Sequence, residues 1–288
     1  MRLQLLSDLH LETERFDPKP APGAELLVLA GDIDAHWTQL ARFARWPVPV
    51  LIVAGNHEFD RRDLTPAWTA LRQRCESLGI RLLERERWVM ICAGGHRVRF
   101  VGTIRWSDFD GLGIAQRQRA MRAAGYFLRL MGSTRDGVSI DAEAMRREAL
   151  ACRHWLETEL HEPPQGRWDA TIAITHFAPS LRCADPRFGR QPGTASFCNA
   201  DDDLIALADL WLHGHLHCRH DFLVKRPGRR PTRVVCQAMG LVDKGEAQGF
   251  DPLRVIELDV GPDAGQGGER DACHTDPAAP IHAAQARP

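Results

Sequence analysis

Short apolar runs recur along most of the chain, and several of them stop at a glycine or at a polar cluster. Runs of about four to eight β-favouring residues between turn residues are typical of strands buried on both faces of a sheet. The pattern predicts strands at residues 2–6, 26–30, 50–54, 80–83, 88–92, 97–103, 171–175, 209–212, 233–237 and 253–259. Gly94 and Gly95 are predicted to join two of these strands as a hairpin.

Longer segments with apolar residues at helical spacing lie between these runs. They predict helices at residues 38–45, 65–78, 115–130 and 141–160. The last of them carries one apolar stripe, as expected of a helix that covers a sheet. The stripe consists of Met145, Ala149, Cys152, Leu156 and Leu160. Strands that alternate with helices predict an α/β fold.

The end of the chain has a different composition. From residue 261 it is rich in Ala, Gly, Pro and Gln, and Ile281 is its only large aliphatic residue. Such a segment cannot bury enough apolar surface to offset the entropy lost on ordering. We therefore predict one domain over residues 1–260 and a disordered tail over residues 261–288.

Composition limits the classes of partner. Lys and Arg number 37 against 38 Asp and Glu, so the net charge of -1 gives no overall attraction to nucleic acid or to an anionic membrane. No apolar run has the length of a transmembrane helix, and Asp8 and His10 interrupt the first run, unlike a secretory signal. The eight cysteines include no C-x-x-C pair and are predicted to be small buried hydrophobes. We expect a soluble cytoplasmic protein; its oligomeric state is not indicated.

Polar residues follow the first three strands at a regular spacing. Asp8 and His10 come after the first strand, Asp32 follows Gly31, and Asn56 and His57 follow Gly55, so that Asp8, Asp32 and Asn56 are 24 residues apart. In an open α/β sheet, ligands bind at the carboxyl ends of the strands. In extended geometry Asp8 and His10 would point to one side and could share a cation. The alternative is a helix cap with surface histidines and a turn in which Asn56 is left-handed.

Two later strands end in histidine. His176 follows the strand at 171–175, and Gly214 precedes His215 and His217, two imidazoles separated by one residue. A single histidine at a strand end is usually structural, whereas His-x-His after glycine is much less ordinary. We interpret Asp34 and His36 as loop residues or as residues that support the ligands, and His213 and His220 as neighbours of a site rather than its ligands. The candidate set is therefore Asp8, His10, Asp32, Asn56, His57, His176, His215 and His217. Its donors suit borderline divalent ions better than Mg or Ca.

Five of these motifs resemble those of the calcineurin-like metallophosphoesterases, in the same order and at ordinary spacing. They are Asp8-x-His10, Gly31-Asp32, Gly55-Asn56-His57-Glu58, His176 and Gly214-His215-x-His217. The resemblance covers about residues 1–260 and implies a two-sheet β-sandwich flanked by helices, with α/β/β/α layers. One departure is Gln237-Ala238-Met239-Gly240, which stands where many bacterial relatives have an Asn-Pro turn. It bears on substrate shape and not on the metal ligands.

The resemblance also implies roles for the candidate residues. One cation would bind Asp8, His10, Asp32 and His217, and a second would bind Asp32, Asn56, His176 and His215. His57 would remain unligated and act as the general acid. The implied cofactors are two divalent ions, Mn, Fe, Zn or Co, and the implied reaction is attack of a metal-bridging hydroxide on a small phosphate ester, with diesters favoured. A phosphomonoesterase, a protein phosphatase, a nuclease and a non-catalytic metal-binding scaffold stay open as alternatives.

Two further regions are candidates for the substrate rim. Following the ligand-bearing strands predicts Trp106, Asp108, Phe177 and Arg182 at the rim, although Trp106 could equally be a packed core residue. The arginines between residues 115 and 135 are interpreted as a solvated face or as the border of an anionic substrate.

Overall fold

The computed structural model of the protein describes residues 1–260. The strands are β1 (Arg2–Leu6), β2 (Leu26–Leu29), β3 (Val50–Ile52), β4 (Arg81–Leu82), β5 (Glu86–Ile91), β6 (Arg97–Thr103), β7 (Thr134–Arg135), β8 (Val138–Ser139), β9 (Ala170–Thr175), β10 (Leu210–His213), β11 (His220–Arg226), β12 (Arg229–Cys236) and β13 (Val255–Glu257). The helices are α1 (Leu64–Ser77), α2 (Arg117–Met131), α3 (Ala142–His161) and α4 (Asp202–Ile205). Short 3-10 helices lie at Gln39–Phe43, His57–Phe59, Ile114–Gln116, Leu181–Cys183, Pro192–Ser196 and Val242–Lys244. The predicted tail lies outside the described residues, and the division at residue 260 stays a prediction.

Two large sheets and one small hairpin contain the strands. The five-stranded sheet has the order β13-β1-β2-β3-β4, and the six-stranded sheet has the order β11-β12-β10-β9-β6-β5. Parallel strands form the centre of both sheets, while β13, β11 and β5 run antiparallel at edges. The apolar pattern does not predict β11 because exposed and half-exposed positions alternate along this edge strand. It also does not predict the two-residue strands β7 and β8.

The two large sheets pack face to face, and helices cover their outer faces. Between them lie Leu5 and Val28 of the first sheet with Phe100 and Ile172 of the second. Leu71 of α1 packs in the cluster on the outer face of the five-stranded sheet. On the outer face of the six-stranded sheet, a third cluster includes residues of α3 and α4. The predicted two-sheet sandwich flanked by helices is confirmed.

The loops that follow the strands are tied together by backbone hydrogen bonds. The Asp8 N–H donates to the Gly31 carbonyl at 3.0 Å, and the His10 N–H donates to the Asp32 carbonyl at 3.1 Å. Gly240, in the segment that departs from the bacterial pattern, donates its N–H to the Asp8 carbonyl at 3.0 Å. These bonds fix the backbone at one edge of the sandwich. No helix within residues 1–260 has the length and apolar character needed to cross a lipid bilayer.

Candidate metal centre

Six of the seven residues predicted as metal ligands form two groups that share Asp32. Ligand atoms of Asp8, His10, Asp32 and His217 all lie within 4.8 Å of one another, and so do those of Asp32, His176 and His215. The backbone N–H of His57 donates to Asp32 Oδ1 at 2.8 Å, which places the Asn56-His57 loop beside the shared carboxylate. The structure therefore brings the predicted residues together, and their role as ligands stays a prediction.

Two imidazoles of the first group face each other through their Nε2 atoms. His10 Nδ1 is 3.0 Å from a carboxylate oxygen of Glu12, and His217 Nδ1 is 2.6 Å from a carboxylate oxygen of Glu246. A carboxylate only accepts hydrogen bonds, so each Nδ1 is the donor and each neutral ring has its lone pair on Nε2. The two Nε2 atoms are only 3.0 Å apart. Two lone pairs at this distance need a proton or a cation between them.

The second group also brings ring nitrogens and a carboxylate close together. The His176 Nδ1–H donates to the Ala30 carbonyl at 2.8 Å, and its Nε2 faces Asp32 Oδ2 and His215 Nδ1, each 3.2 Å away. The Asn56 side-chain oxygen is buried and has no hydrogen-bond partner within residues 1–260. A buried oxygen without a partner is costly, and a cation would satisfy it. The donor set therefore fits two divalent ions.

Backbone strain is concentrated in the same residues. Five of the seven predicted ligands have a left-handed backbone: Asp8 (φ 53°), His10 (φ 43°), Asp32 (φ 52°), His215 (φ 73°) and His217 (φ 49°). The expectation that Asp8 and His10 point together from an extended strand is wrong, because both residues lie beyond β1 in this conformation. Each such residue costs about 1–3 kcal/mol, and strain of this kind clusters at functional sites. Asn56, in contrast, is right-handed (φ -73°), so the left-handed turn proposed for it is also wrong.

Close approach of the loops explains one glycine of the motif. A Cβ added at Gly55 would lie 2.6 Å from the Asp32 backbone nitrogen and 2.7 Å from the His176 ring. Real Cβ atoms do not approach other heavy atoms this closely. Any larger residue at position 55 would therefore displace Asp32 and His176 from their positions in the site.

The electrostatics of the site favour an ionised Asp32. Burial alone would raise its pKa, but the neighbouring His176 and His57 hold the pKa well below its ordinary value. Burial alone would lower the pKa of His57. The carboxylates of Asp32 and Asp60 outweigh this effect of burial and raise the His57 pKa to about 10. The site therefore presents a permanent negative charge next to a protonated imidazole.

His57 is positioned differently from the other histidines. Its Nδ1 is 2.7 Å from Asp60 Oδ2, its side chain is 40% exposed, and its ring centroid lies 5.0 Å from that of His10. Because Nδ1 is engaged by Asp60, Nε2 is the nitrogen that can meet a substrate. His57 thus lies at the open side of the site.

Comparison with known proteins supplies the family. A sequence profile of calcineurin-like phosphoesterases matches residues 1–219, which is most of the chain. The chain belongs to the calcineurin-like phosphoesterase family. Membership makes it a hydrolase of phosphoester-related substrates, in a family that typically binds divalent metals. No curated protein sequence matches the chain.

Two solved structures are similar to this calcineurin-like phosphoesterase. Phosphopantetheinyl hydrolase (PptH) from Mycobacterium tuberculosis is 19% identical with a TM-score of 0.65, and the match covers 89% of this chain and 96% of that one. The calcineurin-like phosphoesterase YfkN from Bacillus subtilis is 14% identical with a TM-score of 0.39, over 76% of this chain and 72% of that one. The first likeness supports the fold.

Glu58 is a functional residue of the phosphoesterase motif to which the sequence pattern assigns no role. It is fully buried, and its carboxylate accepts four backbone N–H groups. Oε1 accepts from Ile33 at 2.7 Å and Asp34 at 3.3 Å, and Oε2 accepts from Gly55 at 2.6 Å and Asp32 at 3.0 Å. Burial and the nearby Asp32 raise its pKa to about 7. Glu58 therefore holds the loops after β2 and β3 together.

Sequence reasoning also missed the carboxylates that orient the imidazoles. Glu12 and Asp60 lie two and three residues after the histidines they contact, which is a local signal that a search for carboxylates beside the motifs could have used. Glu246 is 29 residues beyond His217 and gives no such signal. Asp34, interpreted as a loop residue, accepts the N–H groups of its own loop.

The predicted rim is wrong for most of its members. Trp106 and Asp108 are 2% and 4% exposed, and Trp106 packs against Phe177, so the packed-core alternative is confirmed for it. Phe177 is buried too, but its ring packs against that of the predicted ligand His215, with ring centroids 3.9 Å apart. Arg182 stacks on a β11 aromatic ring.

A half-buried phenylalanine lies at the flank of the site instead. The Phe197 ring centroid is 5.0 Å from that of His215 and 5.3 Å from that of Phe127, a 48% exposed residue of α2. In the predicted basic region, Arg117 and Arg135 pair with Asp110 and Glu148. The exposed surface of α2 that is linked to the site through Phe197 therefore includes the aromatic ring of Phe127.

Proposed function

We propose that the chain is a binuclear metal-dependent phosphodiesterase that acts on small phosphate esters. The observation that carries the proposal is the pair of ligand groups joined at Asp32. The unpartnered, buried oxygen of Asn56 precedes His57, whose N–H donates to Asp32. Asp8, His10, Asp32 and His217 would hold one divalent ion, and Asp32, Asn56, His176 and His215 would hold the other. The ions are Mn, Fe, Zn or Co, because imidazole and carboxylate donors suit borderline cations.

The residues of the chain have separable roles in this reaction. Bound cations would withdraw charge from the phosphoryl oxygens and lower the pKa of water, which supplies the nucleophile near neutral pH. His57 would donate a proton from Nε2 to the departing ester oxygen as a general acid, while Asp60 holds its Nδ1 and keeps the ring oriented. The carboxylates of Glu12 and Glu246 fix the tautomers of His10 and His217.

The charges near the site support a diester over a monoester. A monoester dianion carries more charge than a diester and benefits from an added guanidinium. Arg105 follows Ile104, whose carbonyl accepts from the His176 N–H at 3.3 Å. The Arg105 guanidinium is buried and engaged by Asp108 at 2.7 Å and Asp201 at 2.9 Å. Phe197 and Phe127 offer an apolar surface for the second substituent of a diester.

The test is an assay of the metal-stripped protein with a bis-aryl phosphodiester and an aryl phosphomonoester. Mn, Fe, Zn or Co is added back in separate reactions. We expect metal-dependent hydrolysis with the diester turned over faster. Hydrolysis of the monoester alone would make the chain a phosphomonoesterase, and no hydrolysis with any metal would support the scaffold alternative; either outcome overturns the proposal.

A further inference from the structure

A second cluster of metal-binding side chains lies outside the candidate metal centre. The Cys183 Sγ and one ring nitrogen each of His213 and His220 lie within 4.8 Å of one another. Cys183 ends the 3-10 helix Leu181–Cys183, His213 ends β10, and His220 begins β11. Three separate segments therefore bring one thiol and two imidazoles to one point.

This cluster is on the helix-covered face of the six-stranded sheet. Leu212 belongs to the core between the two sheets, whereas Trp211 and Cys183 belong to the outer cluster. Because successive side chains of a strand point to opposite faces, His213 shares the face of Trp211. The cluster is thus separate from the seven predicted ligands at the strand ends.

The two imidazoles face each other at short distance. The His213 Nδ1–H donates to the Gly214 carbonyl at 3.0 Å, so the lone pair of the neutral ring is on Nε2. That atom is 2.8 Å from His220 Nε2. Nitrogens in this arrangement either share a proton or bind a common electrophile, and Cys183 adds a soft third donor. Cys183 and His213 are almost fully buried, so these donors would replace the hydration shell of an ion.

We propose that Cys183, His213 and His220 bind one Zn²⁺ ion. Thiolate and imidazole are the donors that Zn²⁺ prefers, and a water molecule would complete four-coordination. Burial raises the pKa of the Cys183 thiol, so the thiol is protonated before the ion binds. Binding forms a zinc–sulfur bond and releases the thiol proton to solvent, one proton for each ion.

Such an ion would stabilise the loop that carries two predicted ligands of the other centre. His213 and His220 flank residues 214–219, and this segment includes His215 and His217. An ion bound at the base of the loop would link it to the segment that follows β9. Its role is therefore structural, and the proposal does not depend on the phosphodiesterase activity.

Cobalt substitution tests the proposal without reference to activity. Metal-stripped full-length protein is titrated with Co²⁺ and its near-ultraviolet absorption is recorded. A thiolate-to-cobalt charge-transfer band distinguishes the second cluster from the candidate metal centre, because none of the seven predicted ligands is a cysteine. We expect the band in the unmodified protein, its displacement by Zn²⁺, and release of one proton per ion at this cluster.

Cys183→Ser is expected to abolish the band, with unchanged circular dichroism showing that the variant is folded. The matched control is Cys218→Ser, because the Cys218 Sγ lies 3.9 Å from the Cys183 carbonyl but outside the cluster, and this variant should keep the band. Absence of the band in cobalt-loaded unmodified protein overturns the proposal even if the variants do not fold. Survival of the band in folded Cys183→Ser overturns it as well.

Discussion

Glu58→Gln tests whether one buried carboxylate holds the metal-site loops together. The substitution keeps the size of the side chain and replaces one of its two oxygens by an NH₂ donor. Each oxygen of Glu58 accepts two backbone N–H groups, at 2.6–3.3 Å. Whichever way the amide of Gln is oriented, its NH₂ group therefore faces two N–H donors and leaves them without an acceptor.

The structure gives the expected magnitude. A buried N–H that loses its acceptor costs about 1–3 kcal/mol, so two of them cost roughly 2–6 kcal/mol of the free energy of unfolding. Because burial raises the Glu58 pKa, the folded state disfavours the ionised carboxylate at pH 8, and removal of this charge offsets part of that loss. The loops that carry Asp32 and Asn56 separate as these bonds are lost, and metal affinity is expected to fall with stability.

Urea unfolding of the metal-stripped protein at pH 8 measures this effect, since pH 8 is above the Glu58 pKa of about 7 and the carboxylate is ionised. Glu84→Gln is the matched control. Glu84 is half-buried. It accepts one backbone N–H, from Ile104 at 2.8 Å, pairs with the exposed Arg85 at 3.3 Å, and contacts the Thr103 hydroxyl, which can accept from the new amide. The control should change stability by less than about 1 kcal/mol. A Glu58→Gln loss no larger than that of the control would refute the reasoning.

Three further predictions concern the site and its support. His57→Gln should lower turnover by about 10²- to 10⁴-fold while metal content, measured by mass spectrometry, stays unchanged; loss of the metals would mean that His57 is a ligand. Gly55→Ala should reduce metal affinity in a titration, because its Cβ would collide with Asp32 and His176; unchanged affinity would contradict the packing described. Burial opposes ionisation of Asp108, but Arg105 lowers its pKa, so its stabilising charge is present above pH 3.8 and lost as the pH falls below it. Asp108→Asn should therefore weaken the fall of the melting temperature as the pH is lowered below 3.8. An unchanged fall would exclude Asp108 as its cause.

The strands that carry the site were predictable because they are buried on both faces. β2 and β3 contain only apolar residues. The structure begins and ends β1, β2, β3, β6, β9 and β10 within two residues of the prediction. Since the carboxyl ends of parallel strands meet at one edge, the polar residues after them were expected to converge. The edge strand β11 was missed because exposed and half-exposed positions alternate along it.

The features that orient the ligands were not predictable from local pattern. The contact of Glu246 with His217 depends on how a distant loop returns to the sheet, and the four hydrogen bonds of Glu58 depend on the path of a neighbouring loop. Arg105 could not be distinguished from a substrate-binding arginine, because its partner Asp201 is 96 residues away. The rim prediction failed for Trp106 and Asp108 because their burial likewise depends on segments that are distant in the sequence.

Anomalous diffraction from crystals grown with Mn²⁺ tests the central claim most directly. The account predicts two anomalous peaks that share Asp32 as a ligand, one also bound by Asp8, His10 and His217, and the other also bound by Asn56, His176 and His215. The same experiment on Asp32→Ala should show neither peak at full occupancy. A single peak, or two peaks without a common bond to Asp32, would contradict the account.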